Sequence, residues 1–183
     1  SQGMVEAARR NLSASGVQHN AVLTNAEALP FTDNHFHAVV ANHMLYHVPD
    51  RDRALADIRR VLVAGGVLIA ATNGDQHMSE LHDLVQRFEP AYEKPTNFSR
   101  KFSLESGVEQ LAVHFDNGTV VEKENELLVT EAEPLVDYLL SGLVAAKSHE
   151  RRDELREFVE QELQRSGEIR ITPITGLLIG TAG

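Results

Sequence analysis

Two short apolar runs, HAVVAN at 37–42 and VLIAA at 67–71, flank one amphipathic helical pattern, and this unit constrains the fold more than any other stretch. The first run contains β-branched Val39 and Val40, is too short for a helix, and reads as a strand buried on both faces. Pro49-Asp50 opens the helix, with Asp50 as its N-cap. Leu55, Ile58, Val61 and Leu62 form its buried stripe, while Arg53, Asp57 and Arg60 face water. Gly65-Gly66 ends the helix, and Val67–Ala71 is the next strand. Strand, helix and strand at this spacing imply parallel pairing. The handedness of parallel crossovers then makes an α/β, Rossmann-like, doubly wound and mostly parallel sheet the expected fold.

Upstream, Met4, Val5, Ala8 and Leu12 recur at helical spacing, Gly16 is a stop, and Ala21–Thr24 reads as a strand. Downstream, Met78, Leu81, Leu84, Val85 and Phe88 make an amphipathic helix ended by Pro90, and residues 89–101 read as a loop. Ser106 and Glu109 form a capping-box pattern before a short helix over Leu111 and Phe115. Thr119–Val129 reads as one strand after an Asn117-Gly118 turn. Thr130 and Glu133 form a second capping box, opening a helix through Leu135, Leu139 and Leu143. A charged helix follows over His149–Arg165, then a hairpin-like pair, Ile169–Thr172 and Leu177–Thr181.

A chain of 183 residues is long enough for one domain with a substantial core. Its 17 Lys and Arg against 27 Asp and Glu give a net charge of −10, which repels phosphate backbones and argues against a nucleic-acid partner. The absence of cysteine excludes a disulfide framework, a thiolate metal site and a cysteine nucleophile, and fits a cytoplasmic protein. The longest near-apolar run, Val61–Thr72, is interrupted by two glycines and too short to span a bilayer, so no membrane partner is expected.

Between Ala21 and Thr72 the chain carries NAEALPF at 25–31 and HMLYHVPD at 43–50. In these motifs, set among the strands and helix above, it resembles the class I S-adenosylmethionine-dependent methyltransferases, specifically the methyltransferase type 11 group. NAEALPF is similar above all to the C-methyltransferases of ubiquinone and menaquinone biosynthesis. The likeness is tight over residues 1–75 and loose beyond. It implies the class I methyltransferase fold with strand order 3-2-1-4-5-7-6. It also implies S-adenosyl-L-methionine as cofactor and methyl transfer to a small-molecule acceptor. The family's glycine-rich turn and ribose-binding acidic residue have no counterpart, since no G-x-G occurs in the sequence. SQGMVEAARR resembles the family helix that begins just after that acidic residue. The fold is therefore expected to be N-terminally incomplete and the chain by itself a poor cofactor binder. A free sheet edge, covered by association such as a homo-oligomer, is expected with it. His37 stands where the family usually has Asp.

Residues 1–183 are read as a single methyltransferase-like domain, with 76–146 as an acceptor-binding cover insertion. There Phe88, Tyr92, Phe98 and Phe102 either line an acceptor pocket or belong to the core. The resemblance assigns cofactor binding to Asn25 and Ala26, at the adenine edge, and to Asn42 and His43, at the strand exit near the methionine moiety. An amide suits adenine because it both donates and accepts; the plain alternative for Asn25 is to satisfy its own turn. Glu27 caps that turn. Met44 and Leu45 are core candidates, and Tyr46 and His47 a pocket wall, with His47 a conceivable general base. No catalytic residue is assigned. His35, His37, His43 and His47 have spacings that invite a metal, but HMLYH lacks the Glu of a metalloprotease motif and leaves a strand, so no metal is expected. Two rival functions remain open: a catalytically silent methyltransferase-like interaction module, and a nucleotide-dependent oxidoreductase. Against the oxidoreductase stand the missing G-x-G-x-x-G and the NAEALPF run.

Overall fold

The computed structural model describes residues 2–93, 101–143 and 151–183. Its first half contains α1 (Gln2–Ala14), β1 (Phe36–Asn42), α2 (Arg51–Val61), β2 (Leu62–Asn73) and α3 (Ser79–Phe88). Its second half contains α4 (Leu104–Ala112), β3 (Asp116–Glu124), β4 (Leu127–Val129), α5 (Ala132–Gly142), α6 (Arg152–Ser166), β5 (Ile169–Ile171) and β6 (Ile174–Thr181).

As the apolar runs require, β1 and β2 pair in parallel, with Val39 opposite Leu68 and Asn42 opposite Ala71. The main sheet has the order β1-β2-β6-β3. Because β6 is antiparallel to both β2 and β3, the strands β1, β2 and β3 share one direction and only β6 is reversed. The sheet is thus mostly parallel, and its order matches the 4-5-7-6 half of the order that the resemblance implies. A second, two-stranded sheet joins β4 to β5.

The expected N-cap holds: Asp50 accepts the Arg53 N–H at 3.0 Å and starts α2. Ala54, Leu55, Ile58 and Val61 are buried from that helix. Ala54, Leu55 and Ile58 join Leu62, Leu68, Phe102 and Leu178 in the main core. A second core gathers Leu81 and Val85 of α3, Leu139 of α5, Leu155 and Val159 of α6, and Ile171 of β5. No helix among the described residues is long and apolar enough to cross a membrane.

Several local expectations fail for physical reasons. Ala21–Thr24 forms no strand, and just after it Asn25 and Ala28 make an isolated bridge; among the described residues no strand pairs with 21–24 to take its hydrogen bonds. β1 is not buried on both faces: β2 is its one strand neighbour among the described residues, and Val40 is 59% exposed. Gly65-Gly66 does not stop the helix, which ends at Val61, but lies inside β2. There Gly65 takes φ +75°, and the pairing jumps from Phe36–Leu62 to Ala38–Val67, an irregularity that glycine accommodates.

The α4 cap lies one turn earlier than expected. Ser103, fully buried, accepts the Ser106 N–H while the Ser106 hydroxyl accepts the Ser103 N–H, both at 3.0 Å. α5 begins from Glu131 with no side-chain cap, so the Thr130–Glu133 box is not formed. The stretch 119–129 splits into β3 and β4 in different sheets, and 169–181 is no hairpin, since β5 pairs with β4 while β6 enters the main sheet. The start of the helix expected at His149 lies outside the described residues, as does Phe98. Phe102 is core, and Phe88 and Tyr92 pack against the second cluster.

Candidate functional site

In an open α/β sheet, ligands bind beyond the carboxyl ends of the strands. β1 ends at exposed Asn42, and the ladder continues for one bond, from His43 N–H to Ala71 O at 3.0 Å. His43 then adopts φ +47°, a conformation uncommon for residues other than glycine, and this turns the chain off the sheet. A single 3-10 turn, Leu45–His47, follows. Leu45 is buried and Met44 packs on the main core, as expected of both. Tyr46 also rests on that core, with its ring 4.4 Å from that of His47.

The NAEALPF loop is built by its own polar groups and then fastened to α2. Asn25 Oδ1 accepts the Glu27 N–H at 3.2 Å, and Asn25 O accepts the Ala28 N–H at 3.1 Å. This is the Asx turn of the plain alternative, and it leaves the exposed amide with further capacity on both its oxygen and its NH2 group. Ala26 is half-buried against the main core. Glu27 reaches further than its own turn, since Oε1 accepts the Asp50 N–H at 3.1 Å. Through that bond, the loop carrying Asn25 and Ala26 is tied to the segment that leaves Asn42 and His43.

Two residues expected to face water provide the strongest fastening. Asp57 accepts the Leu29 N–H through Oδ2 at 2.6 Å and pairs with Arg60 Nε through Oδ1 at 2.7 Å. Arg60 also donates to Leu29 O, Phe31 O and Asp33 Oδ1, at 3.1, 2.8 and 2.7 Å. The hydrogen bond from Arg60 holds the Asp57 carboxyl below its ordinary value; partial burial opposes this, and the Leu29 N–H reinforces it. Asp57 and Arg60 were assigned to water by helical periodicity alone. The periodicity places them off the core stripe, but it cannot show that a loop some thirty residues away in sequence comes to lie over that face.

His77 is a further site residue that the sequence did not single out. It follows the carboxyl end of β2, and its Nδ1 lies 2.9 Å from Ile174 O and 3.1 Å from Ile174 N. Burial lowers its pKa; the contact with Ile174 opposes the shift, and the charge of His43 adds to it. His43, leaving β1, is thus near enough to His77, leaving β2, for its charge to act on the His77 imidazole. The usable signal was its position a few residues past a parallel strand. By contrast, His35 packs against Phe31 and Phe36. Among the described residues no three His, Asp or Glu side chains are placed to hold a metal ion.

The exposed Asn25 amide keeps hydrogen-bonding capacity at one loop, and polar, exposed Asn42 and His43 stand at the exit of β1.

Comparison with known proteins gives this arrangement a context. Residues 1–70 match the sequence profile of the methyltransferase domain family. The chain is 40% identical over 86 residues to the ubiquinone/menaquinone biosynthesis C-methyltransferase UbiE of Shewanella sp. strain W3-18-1, a match covering 44% of this chain and 34% of that protein. The match thus spans about a third of the length of that relative. A candidate methyltransferase of Bacillus halodurans C-125 superposes with a TM-score of 0.61 at 18% identity, covering 100% of this chain and 80% of that one. The [4+2]-cyclase SpnF superposes with a TM-score of 0.54 at 18% identity, covering 98% of this chain and 63% of that one. The chain has the Rossmann-like fold seen in class I S-adenosylmethionine-dependent methyltransferases, and its residues 1–70 are similar to the methyltransferase domain family.

Proposed function

We propose that the protein is an S-adenosylmethionine-dependent methyltransferase acting on a small-molecule acceptor. The observation that carries this reading is the fastening of the NAEALPF loop onto the start of α2, directly after the strand exit at Asn42 and His43. The Glu27–Asp50 bond at 3.1 Å and the Asp57–Leu29 bond at 2.6 Å hold it there. The cofactor supplies an activated methyl group on a sulfonium, open to in-line displacement. Asn25 and the Ala26 N–H serve the adenine edge. Asn42 and His43 serve the methionine end. The chain's own contribution to rate is to orient donor and acceptor, since positioning supplies most of what such a displacement needs. His77, depressed in pKa and set beside the same strand ends, is available to accept a proton if the acceptor releases one. An acidic protein with net charge −10 suits a small acceptor better than a nucleic acid.

A second reading, a catalytically silent interaction module, is favoured by one observation: Asn25 Oδ1 is already engaged by the Glu27 N–H at 3.2 Å. That a [4+2]-cyclase shares the fold also means that fold alone does not assign the reaction. The deciding test is a calorimetric titration of S-adenosylhomocysteine into the purified protein. Saturable binding, weakened in Asn42→Ala, is expected. Binding that is absent, or displaced by a nicotinamide dinucleotide, would overturn the proposal.

A further inference from the structure

We propose that the cavity between α3, β4 and α5 binds a neutral, predominantly apolar small molecule. The cavity measures about 430 Å³, within the range of small-molecule sites. Its floor is made by Leu81 and Leu135, buried to 1% and 4% exposure. Its rim is made by Leu127, Leu128 and Tyr138, which remain 46%, 44% and 49% exposed. Three large exposed side chains thus gather around one concavity, a contiguous apolar surface rather than scattered single residues.

The local sequence explains why this surface stays open. β4 is a three-residue strand whose one strand partner among the described residues is β5, and its Leu127, Leu128 and Val129 are consecutive apolar residues that no single face can bury. Met78, just ahead of α3, takes φ +53°, a conformation uncommon outside glycine and small polar residues, and its N–H is held by Thr172 O at 3.0 Å. Thioether and ring meet at the cavity, with the Tyr138 hydroxyl 3.8 Å from Met78 Sδ. A thioether is a weak acceptor, so this hydroxyl retains capacity for one polar group on the ligand. Glu131 at the edge, with the net charge of −10, disfavours an anion.

Position gives the cavity its meaning. Met78 directly follows His77, so the cavity opens beside the loop that leaves the carboxyl end of β2. If the methyl-transfer reading holds, its occupant is the acceptor; the binding itself does not depend on that reading.

The test uses a neutral fluorescent probe, N-phenyl-1-naphthylamine, titrated into the purified protein. One saturable site is expected, with affinity at least tenfold weaker in Leu128→Asp and in Tyr138→Ala, both at exposed positions that the fold tolerates. The anionic analogue 1-anilinonaphthalene-8-sulfonate should bind at least tenfold more weakly than the neutral probe. Non-saturable binding, equal affinity in both variants, or a site lost as rising protein concentration drives self-association would overturn the proposal. Failure here and failure of the methyl-transfer reading are separable. The first is loss of the probe site with S-adenosylhomocysteine still bound, and the second is the reverse.

Discussion

Asp57 accepts the backbone N–H of Leu29 at 2.6 Å, so a carboxylate on α2 fixes the loop that presents Asn25 and Ala26. The same carboxylate holds Arg60, which grips two carbonyls of that loop. The loop thus gains its shape from side chains on a helix about thirty residues away in sequence.

Acid should release this fastening. Asp57 is held below its ordinary value, so its contribution to stability is fully present above the unfolded value of about 3.9 and is lost as pH falls through the folded one. Asp57→Asn should lower the melting temperature at neutral pH and narrow the gap to the parent as pH drops toward about 3. Circular dichroism melts across that range check it. A gap independent of pH would show that the ion pair does not stabilise the fold.

Asn25→Leu removes the turn acceptor and the proposed adenine partner together, so binding and folding must be read separately. Cofactor affinity should fall by on the order of 1–3 kcal/mol. Asn25→Asp keeps the turn acceptor but loses the NH2 donors. It should preserve stability while still weakening binding. Calorimetry showing unchanged affinity in both would leave Asn25 a turn residue only.

Ile58 and Leu62 are 3% and 0% exposed in the main core. Truncating either to Ala should cost about 2–5 kcal/mol. Denaturant unfolding with unchanged midpoints would mean that α2 (Ile58) and the start of β2 (Leu62) do not pack in the core as described.

What was legible in the sequence follows how local each signal is. The β1–α2–β2 unit was readable because β-branched runs, the Asp50 cap and the Leu55–Ile58 stripe each act within a few residues. The NAEALPF loop was recognisable by motif, but its fastening was not, because Asp57 and Arg60 meet it only in three dimensions. Sheet membership at the other end was equally hidden. Ile169–Ile171 and Ile174–Thr181 are adjacent and similar in composition, yet they pair with different strands. Ser106 and Glu109 match the box pattern more closely than Ser103 and Ser106 do, yet it is the Ser103–Ser106 pair that forms the box, because a serine at the third position completes it as well as Glu.

The edge at β1 yields the last expectation. β2 covers one side of this strand, while Val40 is 59% exposed. Unpaired strand edges carrying apolar side chains are templates for pairing with another chain. The 183-residue polypeptide should therefore associate as its concentration rises. Val40→Lys places a charge on that strand without touching the buried Ala41 or the main core, and should shift the population toward monomer. Size-exclusion chromatography with light scattering on both proteins checks it. A parent polypeptide that is monomeric at every concentration would show that the edge is protected, and Val40→Lys would then change nothing.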